Sequence, residues 1–237
     1  MDDYKIIYAP FPTALSDETL TALTKWVENG GTLIAEGCFG YFSAHGHAYE
    51  RQPSRGLDKL IGASRDRVSF GPDMWHELEL STHYGRLAGG VYRQSFIPDA
   101  SEPFAFYDDG EIAGVESDFG EGKVRVIGTM AGYGYKQNPK REYLGFFSSA
   151  LPFAGTRQLL RTEHNTGVIA RVWANESNVY LWCLNTRNYA QRVLLAPDNE
   201  RLCFSDAAPL RGGPAELRNG LLGFLAPAKD AVVYKLS

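Results

Sequence analysis

The chain has 237 residues, of which 44% are hydrophobic and 13% aromatic, and its 24 Lys plus Arg against 28 Asp plus Glu give a net charge of −4. That balance excludes a disordered chain and the basic face of a nucleic-acid binder. No apolar run reaches the roughly 18 residues of a membrane span.

Several expectations follow from the ends and the cysteines. The start, Met1-Asp-Asp-Tyr-Lys5, is acidic and lacks the apolar core of a secretory signal. Cys38, Cys183 and Cys203 are odd in number and far apart, without a Cys-x-x-Cys spacing. A disulfide framework and a cysteine zinc site are therefore not expected, and a reducing cytoplasm fits the thiols. No cofactor motif is present.

In chain order, Lys5 to Ala9 is a β-rich run closed by Pro10 and Pro12. Ser16 has the chemistry of an N-cap, followed by Asp17 and Glu18 where the helix dipole favours negative charge. Leu20, Leu23 and Val27 recur at helical spacing with Trp26 beside them, and Asn29-Gly-Gly31 ends the helix. Thr32 to Ala35 is a second apolar strand, so the first segment has the size of one parallel βαβ unit. Residues 39–64 read as a long loop that ends in a short helical turn at 56–62. Weakly alternating, irregular strands follow over about 63–110, as an insertion. Better strands are expected at 111–115 and 122–128, joined by the turn Gly120-Glu-Gly122. A helix is expected from Asn138-Pro139 to about Leu151, stopped by Pro152 and Gly155. A domain boundary is placed near 155. Beyond it, alternating strands at 167–172, 179–184, 191–195 and 231–236 predict a small antiparallel sandwich.

The runs Tyr4-Lys-Ile-Ile-Tyr-Ala-Pro10, Leu15-Ser-Asp17, Trp26-Val-Glu-Asn-Gly-Gly-Thr-Leu33, Glu36-Gly-Cys-Phe-Gly-Tyr-Phe42 and Gly56-Leu-Asp-Lys-Leu-Ile-Gly62 resemble a known domain. It is the trimerisation domain of β-galactosidases in glycoside hydrolase family 42, which has a flavodoxin-like fold related to class I glutamine amidotransferases. The segment Asp118 to Thr129 resembles the strand by which that domain's chain returns to its sheet. The runs Tyr180-Leu-Trp-Cys-Leu-Asn-Thr186 and Ala226-Pro-Ala-Lys-Asp-Ala-Val-Val233 resemble the small β domain that closes those enzymes. The resemblance implies an α/β chain: residues 1–155 as a partial flavodoxin-like open sheet, and 156–237 as an antiparallel β domain. Nothing in the chain resembles the family's catalytic TIM barrel, and the first βα units of the domain are missing. The expectation is the C-terminal portion of a longer architecture.

Chemistry is sparse. A retaining glycosidase needs two carboxylates about 5–5.5 Å apart. Asn175-Glu176 and Asn199-Glu200 carry the Asn-Glu pairing, but both read as hairpin turns. Asp108-Asp109-Gly110 also reads as a turn. Cys38, in Glu36-Gly-Cys-Phe-Gly40, resembles the strand-to-helix elbow of an amidotransferase nucleophile, with Gly37 and Gly40 as small neighbours. A working thiolate needs a base. No His-x-Glu occurs, and His76-Glu77 and Glu163-His164 are the nearest imitations. A small buried thiol is the simpler reading. His45-Gly-His47 lacks a third ligand, and no metal is expected. Phe39, Tyr41, Phe42 and Tyr49, and then Tyr133 and Tyr135, follow strand ends where open α/β sheets hold ligands, so these rings are the candidates for touching a sugar. Arg51, Arg55 and Arg65 read as a solvated loop face.

The leading expectation is therefore a non-catalytic assembly region of a β-galactosidase-like hydrolase, partnered by copies of itself or by a separate TIM-barrel subunit. The alternatives are a stand-alone module that binds a galactoside or another sugar, and an amidotransferase-like enzyme using Cys38. Self-association has a motive, since a sheet lacking its first strands exposes an edge that proteins usually pair.

Overall fold

A short apolar strand, an amphipathic helix and a second apolar strand open the chain and set the rest. The computed structural model describes residues 3–50, 52–70, 78–163 and 167–237. Strand β1 (Ile6–Ala9) leads into helix α1 (Asp17–Glu28) and strand β2 (Thr32–Glu36). The Ser16 side chain accepts the Thr19 N–H at 3.2 Å, which satisfies one of the helix's free donors. Leu20, Leu23, Trp26 and Val27 form the buried stripe of α1. Gly31 must lack a side chain, because a Cβ there would lie 2.4 Å from the Trp26 ring.

The chain divides into two compact units, Met1–Thr156 and Arg157–Ser237. In the first, α2 (Leu57–Ile61) precedes β3 (Ala63–Phe70), β4 (Leu78–Thr82), β5 (Gly85–Gly89), β6 (Tyr92–Pro98), β7 (Glu102–Tyr107), β8 (Ile112–Phe119) and β9 (Gly122–Ile127). Seven strands form one mixed sheet in the order β1-β2-β9-β8-β7-β4-β5. Strands β1, β2 and β9 run parallel, and the remaining pairs are antiparallel. The expected return strand at 122–128 is β9, beside β2 in register Leu33 to Val124. The expected irregular insertion over 63–110 is corrected. Strands β4, β5 and β7 extend the main sheet, and only β3 and β6 make a separate ribbon. A bulge at Arg65/Val68 breaks the alternation of β3, and one at Pro103/Ala105 that of β7.

The expected helix at 138–151 is also corrected. Helix α3 (Ala131–Gln137) comes earlier and ends at Asn138. A 3₁₀ turn (Arg141–Tyr143), α4 (Leu144–Ser148) and α5 (Ala150–Phe153) follow. Helix α3 contains Gly-Tyr-Gly, which reads as a breaker in sequence. Gly134 is there for packing: a Cβ would lie 2.6 Å from the Ala88 backbone of β5.

Two apolar layers cover the main sheet. Leu33, Ala35, Val115, Val124 and Val126 face α1 and α2, while Ile34, Leu80, Phe104 and Ile127 face α3 and Phe146. Strand β2 is buried along its whole length.

The second unit holds β10 (Leu160–Glu163), β11 (Val168–Ala174), β12 (Val179–Asn185), β13 (Gln191–Pro197), β14 (Ala207–Arg211), β15 (Ala215–Arg218), β16 (Leu221–Ala226) and β17 (Ala231–Leu236). They make two antiparallel four-stranded sheets, β10-β13-β16-β15 and β11-β12-β17-β14, around a core that includes Leu181, Val193, Phe224 and Tyr234. Buried Asn185 pins the corner between β12 and β13. Its Nδ2 donates to the carbonyls of Tyr189, Ala226 and Pro227, and its Oδ1 accepts from Arg187 N–H and Gln191 Nε2.

Candidate functional site

The carboxyl ends of β1, β2 and β9 meet at one edge of the first unit. This is where open parallel sheets present functional groups. Glu36 is the last residue of β2 and is only 1% exposed. Its Oε1 accepts the Tyr8 hydroxyl from β1 and, at 2.8 Å, the Gly132 N–H from the first turn of α3. Its Oε2 has no hydrogen-bond partner among the described residues. Burial raises the carboxyl to about 7, against the lowering effect of the Tyr8 and Gly132 hydrogen bonds. Glu36 thus does for α3 what Met130, at the N-cap without a side-chain bond, cannot. It also ties the edge strand β1 to the helix through one carboxylate.

On the other side of β2, the backbone is contorted. Cys38 has φ 54°, its N–H donates to Gln94 Oε1 at 2.8 Å, and the residue is 3% exposed. Opposite it, Tyr92 N–H donates to Gly90 O at 2.8 Å across Val91, whose φ is 68°. That is a γ-turn of the strained hand with a β-branched residue at its centre. Thr129 Oγ1 at the end of β9 holds this turn by accepting Gly90 N–H at 2.9 Å. The Tyr92 ring lies between the exposed rings of Phe11 and Phe70, at centroid distances of 5.7 and 4.9 Å.

Cys38 has a positive φ, as a nucleophile elbow does, but turns and bends follow it in place of a helix, and its chemistry is not that of a nucleophile. Burial pushes the thiol up to about 12, with Arg65 only partly opposing it. A thiol so raised is almost wholly protonated at neutral pH. His76-Glu77 lies outside the described residues, as do His164 and the Glu163 side chain.

The sugar-contact candidates scatter. Phe39 is 4% exposed within the core against α1 and α2, which corrects its assignment as a contact residue. Tyr41 lies against Phe42, with Arg65 donating to its hydroxyl at 3.1 Å. Tyr49 lies under Arg55, at 5.2 Å, and lines an open groove with Asp17, Thr21, Lys25 and Glu28. Tyr133 and Tyr135 sit on α3 and not in a loop, and the Tyr135 ring packs on Phe147 at 5.5 Å. The structure does not bring these six rings into one site. Arg55 is not a solvated loop residue, since it donates to Leu15 O, Phe42 O and Asp17 Oδ1. Arg51 lies outside the described residues. His45 and His47 are exposed and both give their N–H to Ser43 Oγ. Asn175 accepts Ser177 and Asn178 N–H in a tight turn, and Asp109 accepts Glu111 N–H in another.

The profile of the β-galactosidase trimerisation domain matches residues 1–144, more than half of the chain. The chain belongs to that family. It is 26% identical over 204 residues to the β-galactosidase LacZ of Heyndrickxia coagulans, covering 81% of this chain and 28% of that protein. In fold it is similar to Gan42B, a GH42 β-galactosidase from G. stearothermophilus, with TM-score 0.76, 16% identity and coverage of 100% of this chain and 32% of the other. A β-galactosidase from Bacillus circulans sp. alkalophilus gives TM-score 0.73 at 16% identity, over 99% of this chain and 33% of the other. The chain therefore spans about a third of the length of these relatives.

Within this trimerisation-domain fold, three features escaped the sequence reading. Glu36 ends an apolar strand, and an acid in that place was the available signal. Val91 carried no signal, because a γ-turn needs no particular residue beside Gly90. Arg125 reads as an ordinary polar position of an alternating strand, yet its side chain is fully buried. It donates to Glu116 Oε1 and Ser149 Oγ, both at 2.7 Å, and lies over the Phe153 and Tyr84 rings at 4.2 and 4.4 Å. Among the described residues, no three His, Cys, Asp or Glu side chains gather as a metal site, and no helix is long and apolar enough to cross a membrane.

Proposed function

We propose that this chain is the assembly region of a β-galactosidase-like hydrolase and contributes no catalytic carboxylate pair. The observation that carries the reading is the match of residues 1–144 to a domain family defined by trimerisation. Sheet topology supports it. Strand β1 is at the end of the main sheet, and among the described residues it pairs only with β2. Its free edge offers unpaired backbone groups to a strand from another copy. Glu36 and Tyr8 fix that strand to α3, so the edge is held rigid before any partner arrives. The barrel that performs hydrolysis belongs elsewhere, in the same longer protein or in a separate subunit. A reducing cytoplasm suits the three free thiols.

Amide hydrogen exchange at two protein concentrations tests this reading. Assembly predicts that first-unit amides, with Ile6 to Ala9 among them, gain protection as concentration rises. Exchange independent of concentration throughout the first unit would contradict it.

A further inference from the structure

The outer face of the β11-β12-β17-β14 sheet is built unlike an inert surface. The pairing register places three rows across it. Trp173 stands beside Tyr180 and then Lys235; Arg171 stands beside Trp182 and then Val233; Ile169 stands beside Leu184. The Trp173 and Tyr180 rings stack at 5.5 Å with planes 26° apart. Trp173 is 62% exposed and Trp182 39% exposed, whereas the alternate residues Leu181 and Cys183 are completely buried. Solvent-facing positions of a half-buried strand are ordinarily polar, so this face departs from the pattern of its own sheet.

Its size and charge indicate what it takes. These rows of alternate residues over three strands span about 10 Å by 14 Å, roughly 140 Å². A stable protein interface needs about 800 Å² per partner. The patch is too small for that and large enough for two or three sugar rings. Arg171 and Lys235 stand beside the rings as donors, with Arg171 Nη1 also giving a hydrogen bond to Ala170 O at 2.8 Å. Flat rings for the C–H face of a pyranose, with cationic donors for its hydroxyl oxygens, are the composition of a carbohydrate site.

We propose that this face of the second unit binds a short oligosaccharide, packed against the Trp173–Tyr180 pair and Trp182 and hydrogen-bonded by Arg171 and Lys235. The proposal does not depend on the assembly reading, which concerns the first unit.

The test is titration of the intact chain with β-1,4-galactobiose, lactose and cellotriose up to about 10 mM, followed by tryptophan emission and calorimetry. Saturable binding to at least one sugar is expected. Trp173→Ala should weaken it roughly tenfold and Trp182→Ala similarly, while Trp173→Phe retains part of it. Leu225→Ala, at an exposed position of the other sheet, should leave it unchanged. Circular dichroism and melting of each variant separate lost binding from lost folding. No saturation by any of the three sugars would overturn the proposal. So would full affinity in a folded Trp173→Ala/Trp182→Ala double variant, a fall in oligomer mass in that variant, or tighter binding of an oligothymidine than of any sugar.

Discussion

The two units treat buried polar groups differently. In the second, Asn185 is fully enclosed and its amide is satisfied on both atoms by five partners. In the first, Glu36 and Arg125 are as deeply enclosed, but Glu36 Oε2 and Arg125 Nη2 have no hydrogen-bond partner among the described residues. A satisfied amide fixes a corner and does not titrate. A half-satisfied carboxylate is a group whose state the surroundings can change. The first unit thus keeps its responsive chemistry inside, near the sheet edge proposed for assembly. The second holds its buried Asp198 carboxylate in an ion pair with Arg157 at 2.6 Å, satisfies its core amide, and displays its aromatic groups outside.

The comparison can be broken most sharply at Arg125. Arg125→Ala removes a buried cation and leaves Glu116 without its ion-pair partner, so we expect a loss of about 4 kcal/mol. Native-state amide exchange should place that loss in residues 3–156 and not in the second unit. An even loss across both units would mean that they do not fold independently.

Glu36 gives the next largest effect and a definite sign. Its folded carboxyl is raised from 4.5 to about 7, so the folded state holds the proton more tightly than the unfolded one. Below about 4.5 both states are protonated, and Glu36 adds no slope. As pH rises through the window to about 7, the unfolded state ionises first and the first unit loses stability. Above that the loss levels off, at about 3 kcal/mol. Glu36→Gln should abolish this slope, becoming more stable relative to the parent at pH 8 than at pH 4. Denaturant titrations at the two pH values read the difference.

Asn185→Ala should cost about 2 kcal/mol, confined to the second unit and independent of pH between 5 and 8. A pH-dependent loss there would erase the distinction between the units.

The same contrast explains what the sequence made legible. The second unit's β11, β12, β13 and β17 stood out because each alternates between core and solvent. Strands β10, β14, β15 and β16 were missed: β14 contains a proline and a bulge, and β15 shows mostly exposed residues. In the first unit, Ser16, the leucine spacing of α1 and the glycines after it located the βαβ start closely. Strands β3 and β7 were obscured by bulges, and β6 by a run of consecutive buried residues, which removes alternation. Helix α3 was hidden because its cap comes from Glu36, ninety-six residues before Gly132. A tertiary cap leaves no local trace. Two of the aromatic candidates were hard to place for a related reason. Phe39 and Tyr135 are placed by packing that only the assembled sheet defines, while Trp173 and Trp182 looked like ordinary strand residues.

The central claim is assembly, and the mass of the purified chain in solution tests it most directly. Light scattering across micromolar concentrations should give a multiple of 26.3 kDa, with a trimer the expected species. A constant mass of 26.3 kDa at every concentration would contradict the account.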